Sequence, residues 1–123
     1  MRSVIALIVL MMILSACGET SSTIAYDALP STGDIANGEI LFTAQTCNAC
    51  HLEGASGAPY LEGFAERAGT VVEGQSAREY AFYSIVEPAQ HIAEGYGNAM
   101  PNHYDERMTS QEIADLVAYL LSL

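Results

Sequence analysis

The stretch Cys47-Asn48-Ala49-Cys50-His51 decides the fold of this chain. Its two thiols are three positions apart, and residues i and i+3 share one face of a helical turn. Two sulfur atoms on one face can bond to the two vinyl groups on one edge of a porphyrin. The imidazole of His51 can then bind the iron as the proximal axial ligand. The spacing therefore predicts covalent attachment of one haem c through Cys47 and Cys50, with His51 on the metal.

Two other uses of paired cysteines fit the sequence less well. A structural zinc site needs four nitrogen or sulfur ligands, and no second CxxC or histidine pair accompanies this one. A thioredoxin-like dithiol is expected in a βαβ context, but no alternating strand pattern precedes Cys47. We therefore favour haem as the cofactor.

The N-terminus has the pattern of an export signal. Arg2 precedes an apolar run of eleven residues, from Val4 to Leu14. Such a run is typical of a signal peptide, because a membrane-spanning helix needs about 20 residues. Leu14-Ser15-Ala16-Cys17 resembles the lipobox of bacterial lipoproteins, which implies cleavage before the cysteine and acylation of Cys17. The alternative is an ordinary signal peptide cleaved nearby. We expect residues 1–16 to be removed and Cys17 to anchor the protein on the periplasmic side of a bacterial membrane.

The composition is strongly acidic. The chain holds 15 Asp and Glu against four arginines and no lysine, a formal net charge of −11. Removal of residues 1–16 takes away Arg2 and leaves three arginines, so the formal charge of the mature chain becomes −12. Such a surface repels nucleic acid and anionic headgroups, and it favours redox partners with basic docking surfaces.

Residues 18–33 are polar and carry Pro30 with several Ser and Thr residues. This composition predicts a flexible linker between the lipidated Cys17 and a domain over residues 34–123. The first helix of that domain is predicted over residues 34–46. Its expected apolar face is formed by Ile35, Gly38, Leu41 and Phe42.

Capping boxes predict the later helices. Ser76 with Glu79 marks a helix that runs to about Val86, and Thr109 with Glu112 marks the last helix. In the last helix an apolar stripe is formed by Ile113, Leu116, Val117 and Leu120, and Met108 before the cap suits a hydrophobic staple with Ile113. No segment alternates convincingly enough for a strand, so we expect an all-α fold.

In order, the motifs of residues 34–123 resemble those of a class I, or mitochondrial-type, cytochrome c domain. These motifs are Gly38 and Phe42, Cys47-Cys50-His51, the run from Gly57 to Gly63, Arg67 and Gly69, Met100-Pro101, and Tyr119-Leu120. The resemblance implies the small cytochrome c fold, in which the N- and C-terminal helices cross and a covalent haem forms much of the core.

The resemblance also implies roles for single residues. The backbone carbonyl of Pro59 would orient His51, Arg67 would pair with a haem propionate, and the thioether of Met100 would be the distal iron ligand. Gly38 and Phe42 would pack against Tyr119 and Leu120 at the helix crossing. Met108, His91 and His103 stay open as distal ligands by their chain positions.

Two strong axial ligands leave haem iron without an open position. We therefore expect a membrane-tethered monohaem cytochrome c that carries single electrons between extracytoplasmic proteins of a respiratory or photosynthetic chain. We do not expect an enzyme or a small-molecule substrate, since no nucleophile–base pair or carboxylate dyad stands out. The alternatives are a haem-based gas-binding or sensing lipoprotein and a fixed electron-entry subunit of a larger oxidoreductase. The lysine ring of family members that dock on acidic oxidases is absent, so their partner cannot be carried over.

Overall fold

A computed structural model describes residues 23–123, and the regular structure in that range is entirely helical. The α-helices are α1 (Ile35–Ala44), α2 (Phe64–Ala68), α3 (Ala77–Val86), α4 (Tyr104–Arg107) and α5 (Ser110–Leu120). Single 3₁₀ turns at Tyr26–Ala28 and Cys47–Ala49 flank α1. The all-α prediction is confirmed. None of the helices in this range is long and apolar enough to span a bilayer. The predicted signal peptide and Cys17 lie outside the described residues.

Side-chain caps fix the starts of the three longest helices. At α1, the Asp34 carboxylate accepts hydrogen bonds from two amides of the first turn, at 2.9 and 3.1 Å. At α3, Ser76 Oγ accepts from the Glu79 amide at 3.1 Å. At α5, the hydroxyl of Thr109 accepts from the Glu112 amide at 3.2 Å, and the Glu112 carboxylate accepts from the Thr109 amide at 2.8 Å. These caps satisfy amides that have no partner inside the first turn.

Helices α1 and α5 cross in close contact, and Gly38 makes that contact possible. A Cβ atom at Gly38 would lie 2.1 Å from the carbonyl oxygen of Asp115 and 2.7 Å from Cβ of Tyr119. The Phe42 ring tilts against Tyr119 with 5.5 Å between centroids. The predicted crossing is confirmed. Ile35 differs from expectation, since it is 52% exposed. At the start of α1, the amide of the cap residue Asp34 and the side chain of Asn37 donate hydrogen bonds to Asp115 of α5.

Asp115 is a buried carboxylate at this crossing, and sequence reasoning missed it. The residue is 4% exposed. Its carboxylate accepts hydrogen bonds from the Asp34 amide and from the side-chain amides of Asn37 and Gln111, each at 2.8 Å. Burial by itself raises the pKa of the Asp115 carboxyl, but the three hydrogen bonds together outweigh it and the pKa is lowered.

The hydrophobic core lies where α5 packs against α1 and α3. The predicted stripe of α5 is buried throughout: Ile113, Leu116, Val117 and Leu120. Phe82 of α3 is fully buried. Met108, directly before the Thr109 cap, is 4% exposed, as a staple residue should be.

Residues 23–33, here called the docked segment, pack against the domain. The prediction of a flexible linker is therefore wrong for this part of residues 17–33. Leu29 is 7% exposed and joins the core, and the Tyr26 ring packs on Phe82 with 5.5 Å between centroids. Composition misled because a few apolar side chains, Ile24, Tyr26 and Leu29, are enough to hold a segment that has no regular apolar pattern. Residues 17–22 of the predicted linker lie outside the described range.

Candidate functional site

The cysteine–histidine motif begins at a sharp turn directly after α1. Thr46 has φ +60°, a left-handed conformation that residues other than glycine adopt infrequently, and this ends the helix. In the 3₁₀ turn that follows, the amides of Cys50 and His51 both donate to the carbonyl of Cys47, at 3.2 and 3.0 Å. The motif is thus wound into one helical turn, the conformation in which i and i+3 side chains lie on the same face.

The two thiols differ in exposure. Cys47 packs against the hydrophobic core, whereas Cys50 is exposed. Burial raises the pKa of the Cys47 thiol, and the positive charge of Arg107 partly opposes that rise. The neighbouring ring of Tyr104 is buried, which raises its own pKa, and the Arg107 guanidinium carbon lies 4.4 Å from the centroid of that ring. Tyr104 and Arg107 of α4 are therefore close enough for their charges to affect the half-buried Cys47.

The imidazole of His51 is oriented by Pro59. Its Nδ1 lies 2.7 Å from the Pro59 carbonyl oxygen. A carbonyl can only accept, so Nδ1 donates the proton and the Nε2 lone pair is available. Metal-ligating histidines have this arrangement, in which the ring nitrogen away from the metal donates to a carbonyl or carboxylate. The chain thus prepares the tautomer that fits a haem iron, and the iron bond of His51 stays a prediction.

Arg67 holds the loop that carries Pro59. Its Nη1 donates to the carbonyl of Glu62 at 2.7 Å, and its Nη2 donates to the carbonyl of Tyr60 at 3.2 Å. The Gly63 amide of the same loop donates to the carbonyl of Leu123 at 2.8 Å. The loop is therefore held by Arg67 of α2 and by the backbone of Leu123. A guanidinium has five N–H groups, so these contacts leave donors for the predicted haem propionate, a contact that stays a prediction.

The four candidate distal ligands have different surroundings. Met100 lies in the loop between α3 and α4, partly buried against the core. Met108 is enclosed in the core. His103 is engaged with Glu106 through Nδ1 and Oε1 at 3.0 Å, and its side chain is 53% exposed. His91 is exposed and makes an edge contact with a tyrosine ring of α3. Of the two thioethers, Met100 is the more accessible.

Within residues 23–123, no group of three or more His, Cys, Asp or Glu side chains could hold a bare metal ion. That finding gives the zinc alternative no support in the described part of the chain. An iron held here would be ligated by a porphyrin and two axial side chains, which needs no such cluster.

Comparison with protein families matches residues 35–123 to the family described as Cytochrome c. The match spans α1 to the C-terminus and includes the whole cysteine–histidine motif. A search of curated proteins and a search of solved structures each found no match. The docked segment lies before the matched range.

Proposed function

This chain belongs to the cytochrome c family, and we propose that it is a membrane-tethered monohaem cytochrome c that moves single electrons between extracytoplasmic redox proteins. Family membership makes it a haem-based electron carrier. The tether, the single haem and the nature of the partners are the finer parts of the proposal.

The contact between His51 and Pro59 carries the proposal. This hydrogen bond orients the imidazole of His51 and fixes the proton on Nδ1. Cys47 and Cys50, on the same helical turn, would hold the haem through two thioether bonds. When bound, the haem supplies one-electron cycling between ferrous and ferric iron. The residues around it would exclude water and keep the ligands in place, which suits a carrier.

Met100 is the distal ligand that the surroundings favour. Its rivals are engaged elsewhere: Met108 in the core, His103 with Glu106, and His91 against an aromatic ring. A thioether opposite an imidazole raises the reduction potential. If His51 and Met100 both bound the iron, no open site would remain for a substrate or a gas, and this favours a carrier over a gas-binding lipoprotein.

The charge distribution supports a basic partner. Of the three mature arginines, Arg67 donates to loop carbonyls, Arg78 donates to the Pro30 carbonyl, and Arg107 stacks on a tyrosine. The positive charges are thus tied into intramolecular contacts, while the 15 acidic residues, of which Asp115 is buried, give the chain a large negative charge. Complementary charge speeds encounter between redox proteins, and salt weakens that effect.

Haem retention tests the proposal. In the wild type, haem should stay with the polypeptide through acid–acetone extraction and denaturing electrophoresis. Cys47→Ala combined with Cys50→Ala should release it, while Cys17→Ser should keep it and lose membrane attachment. Extractable haem in the wild type would contradict the attachment. An unchanged acylated Cys17→Ser form would contradict the anchor.

A further inference from the structure

The docked segment is attached to α4 at its first described residue. The Thr23 amide donates to an Asp105 carboxylate oxygen at 2.6 Å, and the Thr23 hydroxyl donates to the same oxygen at 3.0 Å. A carboxylate that accepts two hydrogen bonds from one residue forms a short, charge-assisted contact. The segment is therefore fixed where the chain enters the described structure.

Its middle part is held by aromatic and cationic contacts with α3. The Tyr26 ring lies 5.5 Å from Phe82 and 6.3 Å from Tyr83, centroid to centroid. The Arg78 guanidinium carbon lies 5.4 Å from the Tyr26 centroid, and Arg78 also donates to the Pro30 carbonyl. Leu29 enters the core between these contacts. Such ring pairs and cation–π contacts add to the burial of apolar area.

Its last part lies against α5. Gln111 Nε2 donates to the Thr32 carbonyl at 3.3 Å. At Gly33 a Cβ atom would lie 2.1 Å from the carbonyl oxygen of Ala114, so the backbone approaches α5 as closely as a glycine allows. Contacts with α4, α3 and α5 thus follow one another along residues 23–33, and no long stretch of the segment is left to act as a tether.

We infer that the docked segment shortens the tether and keeps the domain at the membrane surface. This inference rests on the proposed lipid at Cys17. Only residues 18–22 lie between Cys17 and Thr23, so the docked chain can hold Thr23 at most about 20 Å from the anchor. If residues 18–33 were all free, Gly33 could lie up to about 55 Å from the anchor.

Docking also selects the side of the domain nearest the lipid. The tether leaves the domain beside Asp105 of α4. The α4 side of the domain therefore lies nearest the anchor. A redox protein in the same membrane would therefore be within reach of the domain.

Proteolysis of the haem-loaded protein in its membranes tests the docking. A protease that cleaves after aromatic residues and leucine has one usable site in residues 18–33, Tyr26, because Leu29 is followed by Pro30. Tyr26 should resist cleavage in the wild type. Arg78→Ala with Asp105→Ala keeps this site and should be cut at least about tenfold faster. Asp105→Asn, which keeps an acceptor oxygen, and Glu106→Ala on the same helix should stay resistant.

A distance measurement tests the short tether without relying on acylation in the cell. In the haem-loaded chain from residue 17 onward, Cys17 would be the one free thiol and can be coupled to a maleimide lipid. In phosphatidylcholine vesicles with a fluorescent headgroup lipid, the haem should quench more strongly in the wild type than in Arg78→Ala with Asp105→Ala. Glu106→Ala should match the wild type.

Equal quenching in the wild type and the double variant would overturn the inference, as would wild-type cleavage at Tyr26 as fast as in the variant. The wild-type protection stands by itself if the double variant does not fold. Absence of acyl chains in the cellular protein, read by mass spectrometry, would instead contradict the anchor. Haem lost on a denaturing gel would contradict the attachment.

Discussion

At the scale of single residues, Asp115 decides how firmly the first and last helices are joined. Three hydrogen bonds reach its buried carboxylate from α1, its cap and α5. Asp115→Asn replaces one acceptor oxygen by a donor that faces other donors. We expect a loss of about 2–3 kcal/mol in the free energy of unfolding, measured by urea titration. Glu39→Gln, at an exposed position of α1, is the matched control and should change little.

The same carboxylate gives the protein a pH-dependent stability. The folded pKa of Asp115 lies below its ordinary value of 3.8, so its contribution is complete above the unfolded pKa. That contribution is lost as the pH falls through the lower, folded pKa. Below about pH 4, the wild type should lose stability more steeply than Asp115→Asn. Parallel curves for the two proteins from pH 6 to pH 2 would show that the account of Asp115 is wrong.

At the scale of the elements, Gly38 sets the distance between α1 and α5. Gly38→Ala places a methyl group 2.1 Å from a backbone oxygen that cannot rotate away, so the two helices must separate. We expect about 2–3 kcal/mol of destabilisation and a lower thermal midpoint in the haem-loaded protein. Gly97→Ala has no atom within 4 Å of the new methyl and is the control. An unchanged midpoint for Gly38→Ala would contradict the close crossing.

The helices were predictable from sequence because their signals are local. The caps at Ser76 and Thr109 and the apolar stripe of α5 depend on residues a few positions apart. The contacts of Asp115 with α1 and its cap, and those of Tyr26 with α3, join positions far apart in the chain. No local pattern distinguishes a buried, satisfied aspartate from a surface one. The docked segment was missed for the same reason.

The part of the candidate site that lies in one short motif could be predicted from the sequence. Cys47, Cys50 and His51 follow from spacing, and the partner of His51 follows from the family resemblance. The hydrogen bonds from Arg67 to the carbonyls of Glu62 and Tyr60 depend on how the loop folds, so the spacing of the motif could not reveal them.

At the scale of the whole molecule, stability should depend on the haem. A domain this small buries a limited share of its surface, and apolar side chains stay exposed on the two long loops: Leu52, Tyr60, Ile92 and Tyr96. A bound porphyrin is a large apolar group, and these side chains could become buried against it. We expect Cys47→Ala with Cys50→Ala to lose near-ultraviolet circular dichroism and cooperative melting. Sharp thermal unfolding of that haem-free variant would count against the idea.

Net charge should govern the encounter with partners. With four arginines and no lysine against 15 acidic residues, electron transfer to a basic partner should slow as ionic strength rises. Stopped-flow rates with a small cationic and a small anionic redox reagent provide the measurement. The cationic reagent should react faster at low salt, and the difference should shrink in salt. A faster anionic reagent would contradict the charge argument.

The far-red absorption of the ferric protein tests the central claim most directly. A thioether bound to ferric haem iron gives a charge-transfer band there. We predict the band in the wild type and in Met108→Ala, with no binding of carbon monoxide by the ferrous form. Met100→Ala should lose the band, bind carbon monoxide and have a lower reduction potential. A band that survives Met100→Ala but disappears in Met108→Ala, or a wild type that has no band and binds carbon monoxide, would contradict a carrier whose iron is held by His51 and Met100.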